Sequence, residues 1–308
     1  MSTSHGLIAK REGPRIVFED RYSPNMNIVR AKRYSSERNM TLGKTELHLW
    51  VFVDQRNAMD ALRFKEDLSS DERLKASLYR YRRDRDRFII SRGLLRRTLS
   101  LYAKKAPKKI RFGRSVLGEP FLMQAPREQQ IKFNLSHSHL ATVIIVWAND
   151  WRAGVDIEYV RQDLDYCTIA EEMFSERERQ EFLSLPKAVR PEAFLNCWTR
   201  KEGFVKALGQ GFNYPVKNVC VTLKPCDHPA ILDILDKNEK AANWTVVEIK
   251  TGKEYKAHIV FKATADVREL GSPVRIIVYR EWDQAYPRPL NGVKLAPTDG
   301  FSAENQIS

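Results

Sequence analysis

The sequence predicts an α+β protein with two lobes of similar build. Segments of strand-like patterning alternate with helical segments in the order strand, helix, strands, and then strand, helices, strands. A chain of 308 residues is also long enough for two ordinary domains, each with its own core. We expect a loosely ordered basic leader over 1–45, a first lobe over 46–153, a second lobe over 154–283 and a disordered tail over 284–308.

The first lobe is predicted to open on a strand at 46–53, where "ELHLWVFV" alternates and then becomes apolar. Helical spacing begins after two possible N-caps, Ser69 and Ser70, and continues to Leu99. Three extended segments complete the lobe, at 109–122 with a glycine turn, at 131–138 and at 142–148.

The second lobe is predicted to open on a strand at 152–160. Helical patterns follow over 167–185 and over 191–208, and Gly209 ends the second of these. Four further strands are expected at 219–223, 244–250, 256–263 and 274–280.

Composition excludes several classes of protein. The longest apolar run, 141–148, is far shorter than the roughly 18 residues of a membrane helix. The first 15 residues lack the apolar segment of a secretion signal. The four cysteines show no C-x-x-C spacing, which argues against a zinc site or a disulfide framework. We therefore expect a cytoplasmic protein.

The net charge of +13 is concentrated in one segment, because residues 71–114 hold sixteen Lys or Arg against four Asp or Glu. Such a segment attracts an anionic partner: a nucleic acid, a phosphorylated cofactor or an acidic protein. Charge alone is equally compatible with a solvated helix face.

Acidic residues provide the first candidate site. In "GVDIE", Asp156 and Glu158 lie two apart on a predicted strand, so both carboxylates project from one face. Two like charges on one face need water or a cation between them, and oxygen ligands of this kind suit Mg²⁺. A solvent-facing strand edge would explain the same pattern.

The helical segment "CWTRKEGFVKAL" carries Glu202 and Lys206 at a spacing of four residues. A Glu-to-Lys pair in this orientation is an ordinary surface ion pair. However, Glu202 shares its helix face with Trp198, and Gly203 beside it lowers helix propensity, a local conflict that can mark a site. His137 and His139 in "FNLSHSH" lie at a predicted turn, either as polar turn residues or as an H-x-H metal pair.

Taken together, "FNLSHS" (133–138), "GVDIE" (154–158) and "FLNCWTRKEGFVKALGQGF" (194–212) resemble the 4′-phosphopantetheinyl transferases, in particular the large surfactin-synthetase-activating type. The family signature G-[IV]-D-x-E followed by W-[ST]-x-K-E-x-x-x-K is filled without a gap, by Gly154, Asp156, Glu158, Trp198, Thr199, Lys201, Glu202 and Lys206. The resemblance extends from about residue 47 to 279.

This resemblance implies a monomer with two α+β lobes in pseudo-twofold arrangement and coenzyme A bound between them. It also implies transfer of the 4′-phosphopantetheine arm to a serine of an acyl or peptidyl carrier protein, with release of adenosine 3′,5′-bisphosphate. Asp156, Glu158 and Glu202 would hold Mg²⁺. Glu202 would also take the serine proton, and Lys206 would meet a phosphate.

The resemblance further matches Ser136 and His137 to coenzyme A contacts near the 3′-phosphate, with His137 also counted among the catalytic residues. In the basic segment, Lys75 and Arg87 are aligned with residues that meet the cofactor and an acidic carrier. Arg114 and Gly118 match the coenzyme A loop. Glu119 stands where the family usually has lysine, so we expect Arg114 or Lys132 to replace that phosphate contact.

Two other functions are compatible with parts of the sequence. A nucleic-acid-binding protein would use the basic segment, with salt-sensitive binding, although no recognised nucleic-acid motif is present. Another Mg²⁺ enzyme, a nuclease or nucleotidyl transferase, would use the three acids. The joint spacing of the motifs favours the transferase over both.

Overall fold

The protein was analysed as a computed structural model, which describes residues 16–20, 40–53, 58–126, 128–210, 214–225, 228–264 and 274–281. The expected tail over 284–308 and most of the expected leader lie outside these residues. The helices in the described ranges are α1 (Ala58–Lys65), α2 (Ser70–Ser77), α3 (Arg82–Ala103), α4 (Tyr166–Met173), α5 (Glu176–Ser184) and α6 (Arg190–Leu208). The strands are β1 (Ile16–Asp20), β2 (Glu46–Phe52), β3 (Phe112–Arg114), β4 (Pro120–Leu122), β5 (Lys132–Ser138), β6 (Ala141–Trp147), β7 (Arg152–Tyr159), β8 (Val219–Val221), β9 (Ile231–Ile234), β10 (Thr245–Glu248), β11 (Tyr255–Lys262) and β12 (Val274–Glu281).

Two sheets form the centre of the molecule. One has five strands in the order β1-β12-β2-β6-β5, and the other has three in the order β10-β11-β7. An apolar layer lies between them, to which both sheets contribute residues such as Leu49, Ile145 and Val155. The strands at this interface are therefore buried on both faces, which explains why β2 and β6 read as nearly continuous apolar runs.

Helices cover the outer face of each sheet. Phe64 of α1 and Leu94 of α3 pack against Trp50 of the larger sheet. Phe204 of α6 packs with Val246 and other residues of the smaller sheet. Each lobe is thus a sheet with helices on one side, and the two lobes join through their sheets. The prediction of an α+β fold with two similar lobes is confirmed.

The chain ends depart from the expected order. Part of the expected loose leader forms β1, which pairs in parallel with β12. Strand β12, expected in the second lobe, also pairs in parallel with β2 of the first. Its residues Val274, Ile276 and Val278 face the layer between the sheets, so burial of this apolar stripe accounts for its place there. The division at residue 153 remains a prediction.

The two long helical segments are each divided. Ser69 caps α2 in a reciprocal box with Glu72, as the sequence indicates, but the helix ends before Tyr81 and α3 begins anew. Ser175 divides the segment 167–185 in the same way, because its hydroxyl accepts from the backbone of Glu178. Helix α6 ends at Gly209, as predicted, where φ is 69°.

Candidate active site

Strand β7 carries Asp156 and Glu158 on the face opposite the layer between the sheets, as their spacing predicts. Val155 and Ile157 alternate with them and are fully buried in that layer. Asp156 is 3% exposed, and Glu158 is half-buried. Oδ2 of Asp156 is buried with no hydrogen-bond partner, which is an unfavourable state for a carboxylate oxygen. The strand therefore presents an acid with one free acceptor atom in the interior.

Helix α6 lies unusually close to this strand because two glycines meet there. A Cβ added to Gly154 would lie 2.2 Å from the carbonyl oxygen of Gly203 and 2.5 Å from the amide nitrogen of Ala207. The close approach brings Lys206 to β7, where its Nζ lies 2.6 Å from Oδ1 of Asp156 and 3.2 Å from the carbonyl oxygen of Val155. Gly203, which weakens the helix, is also explained by packing, because a Cβ at this position would lie 2.9 Å from Cγ2 of Val260 on β11.

The acids influence one another electrostatically. Burial and the charge of Asp156 raise the pKa of Glu158 to about 7, although Ser138, Lys206 and a hydrogen bond from Trp198 act in the opposite direction. Burial and Asp156 also raise the pKa of Glu202, and Lys206 partly offsets this effect. Both glutamates are therefore affected by the Asp156 charge as well as by burial, and Lys206 offsets only part of these effects.

Such a set of donors fits a hard divalent cation. Carboxylate oxygens are the ligands that Mg²⁺ prefers, and Asp156 offers a buried oxygen that lacks a partner. As the side chains stand, with Lys206 against Asp156, no group of three or more His, Cys, Asp or Glu among the described residues is arranged as a metal site. The residues that could hold a cation are Asp156, Glu158 and Glu202.

Strand β5 lies beside β7 and contributes polar side chains to the same region. The Ser136 hydroxyl donates to Oδ1 of Asp156 at 2.7 Å. His137 has a solvent-accessible ring, yet partial burial together with Lys206 and Arg87 lowers its pKa, against the opposing effect of Asp156. The structure thus brings Ser136 and His137 to the acids. Ser136 contacts a carboxylate directly, whereas the resemblance matched it to a coenzyme A contact. His139 lies at the turn, where φ is 52° and its ring stacks on Tyr159.

Two cavities flank the cluster. The smaller, about 390 Å³, has mainly apolar walls and includes Gly118, Glu119 and Lys206. The larger, about 910 Å³, is lined by Arg87, Glu158 and other residues of both lobes. Lys206 therefore lines one cavity and Glu158 lines the other.

The remaining predicted residues of the first lobe have varied surroundings. Nζ of Lys75 lies 5.4 Å from the ring centroid of Phe88, and Nη2 of Arg87 lies 3.2 Å from Nδ1 of His139. Arg114 donates to the carbonyl oxygen of Gly118 at 2.9 Å, which stabilises the β3–β4 turn.

At this turn, Gly118 has a φ of 85°, a conformation that favours glycine. The Glu119 carboxylate lies against Gly209 at the end of α6, and burial raises its pKa. Lys132, an expected substitute for the missing lysine, lies 3.3 Å from Asp150.

Part of the basic segment is internally paired. Arg92 and Arg96 both bind the buried Glu72 carboxylate, and Arg97 binds Asp67. By contrast, the side chains of Arg82 and Arg83 at the start of α3 are 74% and 73% exposed. The charge available to an external anion is therefore smaller than the composition indicates.

Sequence reasoning missed two sets of residues. Ser138 donates to Oε2 of Glu158 at 2.7 Å, and only the two-residue spacing of Ser136 and Ser138 could have indicated it. Lys201 forms a fully buried ion pair with Glu178 at 2.6 Å. The motif includes Lys201, but its partner lies 23 residues earlier, beyond the reach of a local pattern.

Comparison with known proteins agrees with the motifs. Residues 152–260 match the profile of the 4′-phosphopantetheinyl transferase superfamily, and residues 57–148 match that of the 4′-phosphopantetheinyl transferase N-terminal region. The 4′-phosphopantetheinyl transferase HetI of Nostoc is 31% identical over 68% of this chain and 85% of its own length. The 4′-phosphopantetheinyl transferase Sfp of Bacillus subtilis is 28% identical over 52% of this chain and 69% of its own.

A solved holo-[acyl-carrier-protein] synthase of Thermotoga maritima aligns with 36% of this chain and 62% of its own, at 22% identity and a TM-score of 0.29. The chain belongs to the 4′-phosphopantetheinyl transferase superfamily and is a transferase. Within the superfamily it is of the two-lobed, surfactin-synthetase-activating type. Among the described residues, none of the helices is both long and apolar enough to cross a membrane.

Proposed function

We propose that this enzyme transfers the 4′-phosphopantetheine group of coenzyme A to a serine of an apo acyl or peptidyl carrier protein in a Mg²⁺-dependent reaction. The observation that carries the proposal is the cluster of Asp156, Glu158 and Glu202 beside Lys206, with Oδ2 of Asp156 lacking a partner. Three acids with one ammonium suit a pyrophosphate substrate that arrives with a cation.

In the proposed reaction, the carrier serine oxygen forms a bond to the phosphorus that bears pantetheine. The bond from this phosphorus to the bridging pyrophosphate oxygen breaks, and that oxygen leaves with adenosine 3′,5′-bisphosphate. Bound Mg²⁺ would neutralise charge on the pyrophosphate. Asp156, Glu158 and Glu202 would hold it.

The side chains of this chain supply the remaining functions. Glu202 accepts the serine proton, and its raised pKa brings it closer to the range suited to a general base. Lys206 binds a phosphate as a point charge while its position is held by Asp156 and the carbonyl of Val155. Ser136 and His137 are proposed to contact coenzyme A near the 3′-phosphate, and Arg87 is proposed to contact the cofactor from the first lobe. Lys75, Arg114 and Gly118 are proposed as further coenzyme A contacts.

An acidic carrier is the proposed partner. Arg83 and Arg87 line the larger cavity that Glu158 faces, so the exposed start of α3 leads directly to the acids. A negatively charged carrier would be steered to this rim and would present its serine at the cavity. We further propose that the enzyme acts as a cytoplasmic monomer.

The direct test is the mass of an apo carrier protein after incubation with the enzyme, coenzyme A and Mg²⁺. We expect a gain of one phosphopantetheine group with the wild type and with Glu176→Gln, a matched change of an exposed glutamate on the surface of α5. We expect no gain with Glu202→Gln. Near-normal transfer by Glu202→Gln would show that Glu202 is not the base.

A further inference from the structure

Ser138 is the last residue of strand β5, and its hydroxyl group links this strand to β7. Its Oγ accepts from the backbone N–H of Tyr159 at 3.1 Å and donates to Oε2 of Glu158 at 2.7 Å. A serine hydroxyl has a single proton, and the Tyr159 amide occupies one of its acceptor positions. The orientation of the hydroxyl is therefore fixed, with its proton directed at Glu158.

The same arrangement recurs two residues earlier. Ser136 donates to Oδ1 of Asp156, so each of the two serines of β5 donates to one of the two acids of β7. Oδ1 of Asp156 also receives Lys206, whereas Oδ2 has no partner. One oxygen of each acid is thus held by a protein hydroxyl, which restricts the rotation of the carboxylate.

We propose that Ser138 is a positioning residue of the transfer site, which fixes the rotamer of Glu158 so that the acids are arranged for a divalent cation before it binds. The inference rests on the proposed function, because that function supplies the cation. Partners outside the ligand set that orient a ligating carboxylate typically contribute 10- to 100-fold to metal affinity. Ser136 has the corresponding role for Asp156.

The competing explanation is a purely structural one. Ser138 also binds the Tyr159 backbone and so helps to hold β5 against β7. A structural role predicts a lower melting temperature on removal of the hydroxyl and unchanged cation affinity in the folded protein. A positioning role predicts weaker cation binding at temperatures where the variant is fully folded.

The experiment is a titration of the full chain with Mn²⁺ alone, followed by electron paramagnetic resonance of the free ion, without coenzyme A or carrier. We expect Ser138→Ala to weaken Mn²⁺ binding at least about tenfold. Ser138→Thr should restore it, since Ser138 borders the larger cavity, which has room for a methyl group. Ser184→Ala should have no effect, because that hydroxyl donates to the Glu181 carbonyl on the exposed surface of α5.

The outcomes separate this inference from the proposed function. Wild-type affinity for Mn²⁺ in folded Ser138→Ala, or no Mn²⁺ binding by the wild type, would overturn the role of Ser138. If the wild type binds Mn²⁺ more tightly than Ser138→Ala but modifies no carrier, the positioning role of Ser138 is supported and the transfer reaction is refuted. In an active enzyme, high Mg²⁺ concentrations should restore the rate of Ser138→Ala, which a loss of folding would not allow.

Discussion

The contact between Gly154 and α6 gives the sharpest prediction about how the site is assembled. An alanine Cβ at this position would lie 2.2 Å from the carbonyl oxygen of Gly203, whereas ordinary contact begins at 3.4 Å. Strand and helix must therefore separate by about 1.2 Å (3.4 minus 2.2) in Gly154→Ala. Overpacking of this kind costs about 1–3 kcal/mol.

A shift of this size also moves Lys206 and Glu202 away from Asp156. Misplacement by about 1 Å can cost on the order of 100-fold in rate, so we expect kcat/KM to fall by about that factor. Thermal unfolding should shift downward by about 2–4 °C for each kcal/mol. Carrier modification and a melting curve would measure both effects.

Gly43→Ala is the control, because its added methyl group would meet the Glu46 side chain in the turn before β2 and not the contact between β7 and α6. We expect it to retain activity, whatever its effect on stability. A Gly154→Ala enzyme with wild-type rate and melting temperature would refute the argument that close strand–helix packing positions Lys206.

Three further predictions concern two sets of buried ion pairs and Glu119 in the smaller cavity. Lys201→Ala should leave the buried Glu178 charge uncompensated and lower the free energy of unfolding by about 3–5 kcal/mol. Urea unfolding would measure this difference, and a decrease of less than about 1 kcal/mol would contradict the prediction. Burial opposes ionisation of Glu72, but pairing with Arg96 and Arg92 outweighs this effect and lowers the pKa of the carboxyl group. The stabilisation that ionised Glu72 gives the folded protein is therefore present above pH 4.5 and is lost as the pH falls through the folded-state pKa. The stability difference between wild type and Glu72→Gln should therefore shrink in acid, and a constant difference from pH 7 to pH 3 would argue against it. Glu119→Lys should lower the KM for coenzyme A severalfold without changing the KM for the carrier, whereas a higher KM would show that lysine makes no phosphate contact here.

Local patterns were sufficient to predict much of the architecture and the central acids. The alternation of Asp156 and Glu158 with buried apolar residues is a property of the strand itself, so their shared face follows from the sequence. The C-terminus of α6 was also predictable, because Gly209 supplies the left-handed conformation that ends the helix. Family motifs then linked Glu202 and Lys206 to the acids of β7.

What the sequence could not reveal depends on contacts between distant segments. The parallel pairing of β12 with β2 joins residues more than 200 positions apart, and no periodicity encodes it. The link from Ser138 to Glu158 depends on how β5 packs beside β7, a strand of the other sheet. Glu202 and Lys206 have the spacing of a surface ion pair, but Lys206 turns to Asp156 because Gly154 allows α6 to lie close to β7.

The central claim is that this site moves phosphopantetheine from coenzyme A to a carrier serine. The most direct measurement is the product balance in one incubation of enzyme, coenzyme A, Mg²⁺ and apo carrier, with holo-carrier determined by mass and adenosine 3′,5′-bisphosphate by chromatography. We predict equal amounts of the two products, and neither product when the carrier serine is replaced by alanine. Failure of the folded enzyme to modify any of several apo carriers, or release of the nucleotide without carrier modification, would contradict the claim.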